Sequence, residues 1–443
     1  METLVNYIEQ HILSIILCLI WLFHFWNLFL NLRQRRLMQR LVDLPKSVEG
    51  LMTKDVYDKA RAYALDKNSF GTVQEIYSKI INTLVLVSLG YYHAWQWSIE
   101  VSKYCGFNHE NDILLSVICM FIINVISHVI NLPLVVYETF VLEEKYGFNK
   151  QTATFFVKDE IKKFVVSQII ALPLLCCIIY TVKYGGDYFF WYLWLLSVVI
   201  SLFMMILYPE VIAPLFDKYS PLPEGELRQK IEELAESLKF PLYKLFVVEG
   251  SKRSSHSNAY MYGFYKYKRI VLFDTLIKGY CKKDEGDADK DTGCETNEIL
   301  AVLAHELGHW KHNHNLKGFI LSQIIVVANF VMFAKLLRYT PMYTAFGFTD
   351  SQPIFIGLII VTMYILIPLN TVFSFVSVVI SRSFEFQADE FATKLGRGQF
   401  LKAALLKLQK DNLGYPLFDK LYSNWHHSHP PVIERLEAID KKQ

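Results

Sequence analysis

Long apolar runs separated by short polar ones dominate this chain. Averaged over about 19 residues, the length that crosses a bilayer as a helix, seven runs stand out, at 12–32, 80–98, 113–137, 164–182, 188–208, 318–336 and 354–381. Three short connections between them, 99–112, 183–187 and 337–353, hold few Lys or Arg, and two large polar pieces remain, 209–317 and 382–443. The pattern changes inside the first polar piece. Residues 227–240, LRQKIEELAESLKF, place apolar side chains at helical spacing and predict an amphipathic surface helix. KLFVVEG, NAYMYGFY and RIVLF are β-branched and aromatic runs bounded by turn formers, and predict a small sheet. The acidic stretch KKDEGDADKDTG at 282–293 predicts a mobile surface loop.

The expected fold is therefore a polytopic α-helical membrane protein with seven transmembrane helices and a mainly helical polar region containing a small β-sheet. Its parts are 1–208 (spans one to five with their loops), 209–317, 318–381 (spans six and seven) and 382–443. Composition agrees, since 53% of the 443 residues are apolar and only 20% are charged. A net charge of +2 gives no nucleic-acid signal. The seven cysteines form no CxxC pair and read as small apolar residues. The first span is no cleavable signal, because METLVNYIEQ before it is acidic and Arg33, Arg35, Arg36 and Arg40 follow it at once. That basic cluster predicts a lumenal N-terminus, and Lys145, Lys150, Lys158, Lys162 and Lys163 fall on the same cytosolic side. Seven spans, an odd number, put both large polar pieces there.

Candidate chemistry lies at the edge of the sixth span. In AVLAHELGHWKHNHNLKGFILSQ, residues 301–323, His305 and His309 are four apart, so a helix projects both imidazoles from one face, as two ligands of a tetrahedral Zn²⁺ require. Glu306 sits beside them as a candidate base. Such a four-residue match also arises by chance and needs a third ligand. The long form HExxHxxGxxH is excluded, since positions 312 and 315 are His and Asn. SRSFEFQADEFA follows the seventh span, and its Glu385 and Asp389 again share a helical face. Glu385 can complete the metal site and Asp389 can accept the second N–H of a ligand histidine. Spans six and seven form a hairpin, so both half-sites return to one end of the membrane. His312 and His314 fall off the ligand face and read as bland, and His256, His426 and His427 as surface residues. Polar residues recur at helical spacing within the spans: Asn370, Ser374, Ser377 and Ser381; Asn124, His128 and Asn131; His24, Asn27 and Asn31. Such stripes serve as contacts between helices or line a wet interior.

HELGHW, SRSFEFQADEFA, GSKRSSHSNAYMYGF and DNLGYPLFDKLYSNWHHSHPPVIERLEAI together resemble the type 1 CAAX prenyl protease family, integral-membrane zinc enzymes that process farnesylated proteins such as fungal mating pheromone and prelamin A. The similarity runs over essentially the whole chain. It implies seven long helices around a large internal chamber with the metal facing it near the cytosolic side. It implies one Zn²⁺ per chain on His305, His309 and Glu385, with Glu306 as general base and Asp389 behind the ligands. It also implies that His429 steadies the oxyanion, that Asn258, Ala259 and Tyr260 lie along extended substrate, and that Arg435 stands near the site among the substrate contacts. The resemblance implies removal of the last three residues of a prenylated CAAX protein, with a second cut further in. Its partners would be that substrate and the lipid bilayer, with no nucleic acid. Its location would be the endoplasmic reticulum membrane, or the inner nuclear membrane continuous with it. The acidic loop at 282–293 is shorter than animal members lead one to expect, which bears on regulation and not on the ligands.

Three rivals define the discriminating tests. A membrane quality-control zinc protease would share every ligand and differ in ignoring the prenyl group. A site-2-type intramembrane protease carries HExxH within a span, whereas Trp310, Lys311, His312 and Lys317 place this one at a boundary. A receptor or transporter has no use for Glu306.

Overall fold

In the computed structural model, residues 2–263, 267–280 and 292–442 are described. The main helices are α1 (Ile12–Arg40), α2 (Lys54–Val87), α3 (Gly90–Tyr104), α4 (Asp112–Tyr137), α5 (Ala153–Tyr184), α6 (Phe189–Leu207), α7 (Glu226–Ser237), α8 (Thr296–Lys311), α9 (His314–Leu336), α10 (Ile354–Ile359), α11 (Ile367–Ala392), α12 (Gly398–Asp411), α13 (Lys420–His426) and α14 (Val432–Asp440). Most of the acidic stretch 282–293 lies outside the described residues.

Six helical stretches among the described residues are long and apolar enough to cross a membrane: Ile12–Arg40, Asp112–Glu143, Ala153–Tyr184, Gly186–Phe216, His314–Leu336 and Ile367–Asp411. Two sequence expectations are corrected. The span expected at 80–98 is the junction of α2 and α3, where Leu89 takes the left-handed conformation at φ 55° and the helix ends. The helix that ends there, α2, is 34 residues and about 50 Å long, although it is not among the six apolar stretches. Tyr57 near its start meets Tyr415 at the polar end of the bundle, and Leu86 near its finish is buried at the opposite end. Hydropathy undercounts α2 because charged residues such as Glu75 and Lys79 interrupt it. The span expected at 354–381 is broken too. A π-helical stretch, Ile360–Ile365, follows α10, and Leu366 (φ −86°, ψ 10°) ends it before Pro368 enters the first turn of α11.

The two largest of four hydrophobic cores among the described residues lie at opposite ends of the molecule. The far core joins Ile16 of α1, Leu86 of α2, Trp95 of α3, Cys119 of α4, Ile179 of α5 and Phe333 of α9 with Tyr343, Phe348, Ile356 and Ile360. The near core packs α8, α12 and the end of α11 on a sheet of β1 (Tyr219–Pro221), β2 (Leu242–Val248), β3 (Ala259–Tyr262) and β4 (Lys268–Phe273). Between the cores the helices are thinly packed: at most 22% of the most apolar stretch of any of the six is buried. Side chains such as Phe203 and Ile324 are exposed, and several residues of the polar stripes meet polar groups of other helices. His24 and Asn31 reach Glu75 at 3.1 and 3.3 Å, Asn124 reaches Gln168 at 3.1 Å, and Asn329 reaches Asn370 at 3.3 Å.

The sheet order is β1-β2-β4-β3, with β2 and β4 parallel and the outer pairs antiparallel. The short β1 was not foreseen. Val247, Ile270 and Leu272 are fully buried in the sheet, each adding about 1.5–3 kcal/mol of apolar burial. On its opposite side from β4, β3 has no strand neighbour among the described residues. The expected amphipathic helix is α7, with Ile231, Leu234 and Ala235 buried.

Candidate metal centre

The helix that carries HExxH starts at a capping box, in which the Glu295 and Glu298 side chains each accept an N–H across the first turn. Its face bearing Leu300, Leu303, Ala304 and Leu307 is buried in the near core, which fixes its rotation. Gly308 lies against α11: a Cβ there would stand 3.0 Å from the Ala388 Cα and 3.2 Å from its carbonyl oxygen. A glycine favours this close approach, which sets HExxH beside the turn of α11 that carries Glu385 and Asp389.

The donor atoms of His305, His309 and Glu385 lie within 4.8 Å of one another. Nε2 of His305 and Nε2 of His309 are 3.1 Å apart, and the Glu385 carboxylate lies 3.5 and 3.4 Å from them. His305 Nδ1 donates to Asp389 Oδ1 at 2.8 Å, so the proton sits on Nδ1 and the Nε2 lone pair points into the cluster. Oε2 of Glu385 is buried without a hydrogen-bond partner. Arg435 Nη1 lies 3.5 Å from that oxygen, too far for a good hydrogen bond, so imidazole lone pairs and a buried carboxylate aimed at one point are best satisfied by a further cation, and two His with one Glu is a donor set of metallopeptidases. Charge agrees with geometry. Burial opposes a charged His305, yet Asp389 and Glu385 outweigh it and raise its pKa to about 9, so the pocket favours positive charge at this spot.

Glu306 is half-buried beside the cluster and makes no hydrogen bond to the described residues, leaving its carboxylate available. His429 is exposed, with Nδ1 3.0 Å from Glu385 Oε1. Arg435, expected among substrate contacts, lies against Asp389. Its Nε and Nη2 donate to Asp389 at 2.8 and 2.6 Å, and it stays buried behind the ligands. Asn258 is exposed just ahead of β3, its carbonyl accepting from Phe273 N–H at 3.1 Å; Ala259 is buried and the Tyr260 hydroxyl meets that of Tyr219 at 3.0 Å.

One histidine read as bland, His314, is not, and His256, read as a surface residue, is partly buried. His256 stacks on Phe148 with ring centroids 4.1 Å apart and contacts Asn412. His314 is 3% exposed, with Nδ1 3.0 Å from Nδ1 of His309. Extrapolating one continuous helix from His309 rotates His314 off the ligand face. The real chain breaks at Asn313, in the left-handed conformation at φ 55°, and α9 restarts with His314 turned back toward the motif. Asn313 itself was the available signal, since Asn enters that region more readily than most residues.

Such a donor set at one end of a membrane-helix bundle, with a free carboxylate beside it and an edge strand nearby, defines a membrane metallopeptidase. Comparison with known proteins gives the family. Residues 34–218 match the CAAX prenyl protease N-terminal region of five membrane helices, and residues 221–443 match peptidase family M48. The CAAX prenyl protease 1 homolog of Mus musculus is 46% identical over 97% of this chain and 96% of its own length. That of Arabidopsis thaliana is 46% identical over 94% and 95%. The crystal structure of S. mikatae Ste24p superposes with a TM-score of 0.86 at 35% identity, covering 97% of this chain and 98% of that one. The chain belongs to the type 1 CAAX prenyl protease family.

Proposed function

We propose that this protein is a zinc endopeptidase that removes the last three residues of prenylated CAAX proteins, with a second cut further upstream. The observation that carries the reading is the convergence of His305 Nε2, His309 Nε2 and the Glu385 carboxylate, whose Oε2 accepts no hydrogen bond, in one buried cluster. A zinc ion held there supplies Lewis acidity to water and to the scissile carbonyl. Glu306 takes a proton from the attacking water and returns it to the leaving amine. Asp389, clamped by Arg435, keeps the His305 ring oriented. His429 supports negative charge developing on the scissile carbonyl oxygen. The substrate backbone adds to the open edge of β3 at Asn258, Ala259 and Tyr260, which holds a peptide independently of its side chains. Arg33, in the basic cluster, pairs with Asp419 at 2.8 Å at the end of the bundle that carries the metal site, which supports a cytosolic active site and a lumenal N-terminus. The endoplasmic reticulum membrane is the proposed location.

The test compares wild type with Glu306→Gln for zinc content and for turnover of a farnesylated CAAX peptide and its unprenylated twin. One zinc per chain in both, with turnover reduced at least 10²-fold in the variant, is expected. Wild type free of zinc would sink the metal assignment. Equal cleavage of the two peptides would favour a quality-control protease indifferent to prenylation.

A further inference from the structure

Resting on the zinc-site reading above, we propose that His314 is a positioning residue for the metal, fixing the ring orientation and tautomer of the ligand His309. The proton placement follows from a chain of hydrogen bonds. Gln387 Nε2 donates to Ser383 Oγ at 3.1 Å, which turns its Oε1 toward His314. An amide oxygen only accepts, so His314 Nε2, 3.3 Å away, carries the proton of the neutral ring. His314 Nδ1 is then an acceptor, and His309 Nδ1, 3.0 Å from it, must donate. With its proton on Nδ1, His309 presents a bare Nε2 to His305 and Glu385, the state a metal ligand needs.

The His314 ring is held for this task. It stacks on Phe384 with centroids 4.1 Å apart and planes 7° from parallel. Phe384, Gln387 and Ser383 all belong to α11, the helix that brings Glu385, so one helix supplies both the third ligand and the brace behind the second. The two ligand histidines are backed unequally. An anion, Asp389, stands behind His305, whereas a neutral imidazole relaying to an amide stands behind His309. The site thereby gains two oriented imidazoles with one added negative charge instead of two.

The experiment measures zinc affinity of the full-length detergent-solubilised protein by competition with a chromophoric chelator. Three variants are compared with wild type: His314→Phe keeps the stacked ring and removes the acceptor, His314→Asn places an amide oxygen near the former Nδ1, and His309→Ala removes a ligand. His314→Phe is expected to bind zinc about 10- to 100-fold more weakly, as loss of a partner behind a ligand does, and His314→Asn to recover most of that loss. The metal-free melting temperature of His314→Phe should match that of His314→Asn, which separates positioning from packing. Wild-type affinity in His314→Phe alongside a loss in His309→Ala would overturn the role of His314. Equal weakening in the Phe and Asn variants would also overturn it, assigning the effect to packing. Undiminished zinc binding by His309→Ala would overturn the metal-site reading itself, and this inference with it.

Discussion

At the residue scale the metal centre is defined by what stands behind its ligands. Asp389 is 1% exposed and receives two hydrogen bonds from Arg435 and one from His305. Asp389→Ala should weaken zinc binding by about 10- to 100-fold through loss of ring orientation. Arg435→Ala should do more damage to the fold, because it leaves a buried carboxylate without its counter-ion, a change of about 3–5 kcal/mol. Zinc competition and thermal melting on the same preparations separate the two effects; equal melting temperatures for both variants and wild type would contradict the clamp. The pairs His305/His309 and Glu385/Asp389 were legible in the sequence as sharing a face because each spans four residues of an uninterrupted helix, where periodicity is reliable. His314 was not, since a left-handed Asn313 stands between it and the motif and resets the phase. Asn258 and His429 came to notice only through resemblance, as nothing in their own spacing distinguishes a polar surface residue from one beside a site.

At the scale of elements, the site depends on how closely α8 and α11 approach. Gly308→Ala would push a methyl group into the Ala388 backbone, at 3.0 Å, and neither helix can yield without moving Glu385 one turn away. Overpacking of this kind costs about 1–3 kcal/mol, and the variant should lose both melting temperature and zinc affinity; unchanged affinity would show that the helices can shift together. A second junction docks the C-terminal region to the first span. Asp419 caps α13 by accepting from the Leu421 and Tyr422 N–H groups, and Arg33 holds its carboxyl below the usual carboxylate range. A depressed folded pKa contributes stability that is present above the unfolded value near 4 and lost as pH falls through the folded value. Asp419→Ala should therefore lower stability by about 1 kcal/mol at neutral pH through the lost cap, and the deficit relative to wild type should shrink in melts below about pH 4. The broken helices were harder to read than the continuous ones. Pro368 signalled the start of α11, but an apolar window averages across it, and Leu89 offers no side-chain clue to its left-handed turn.

For the whole molecule, the number of crossings follows from which segments meet. The loop after α4 pairs with the region between α6 and α8 through the Asn149–Ser254 bridge, and Arg253 reaches Asp159 at the start of α5. The end of α1 meets the segment before α13, where Gln34 donates to the Leu417 carbonyl at 3.1 Å. The expected seven crossings, with α2 as the second despite its polar residues, account for these contacts by gathering the connections after the first, third, fifth and seventh crossings at one end. The metal site itself demands less: two crossings between Lys311 and Glu385 suffice, whatever precedes them. With this arrangement, a glycan acceptor sequon placed ahead of Glu2 or within 337–353 should be modified in microsomes, and one placed within 41–53 should not. The reverse pattern would turn the protein over in its membrane.

The two cores also divide labour across the bilayer. A wet interior among the helices, as the family resemblance implies, would risk short-circuiting the membrane, and the far core, with Tyr343, Phe348, Ile356 and Ile360 fully or almost fully buried, closes the end of the bundle away from the metal site. Insulation, and not catalysis, is then the property most exposed to damage there. Paired truncation such as Tyr343→Ala with Phe348→Ala should raise ion conductance across planar bilayers containing the protein, while a silent bilayer would mean that the ring is sealed elsewhere along its length.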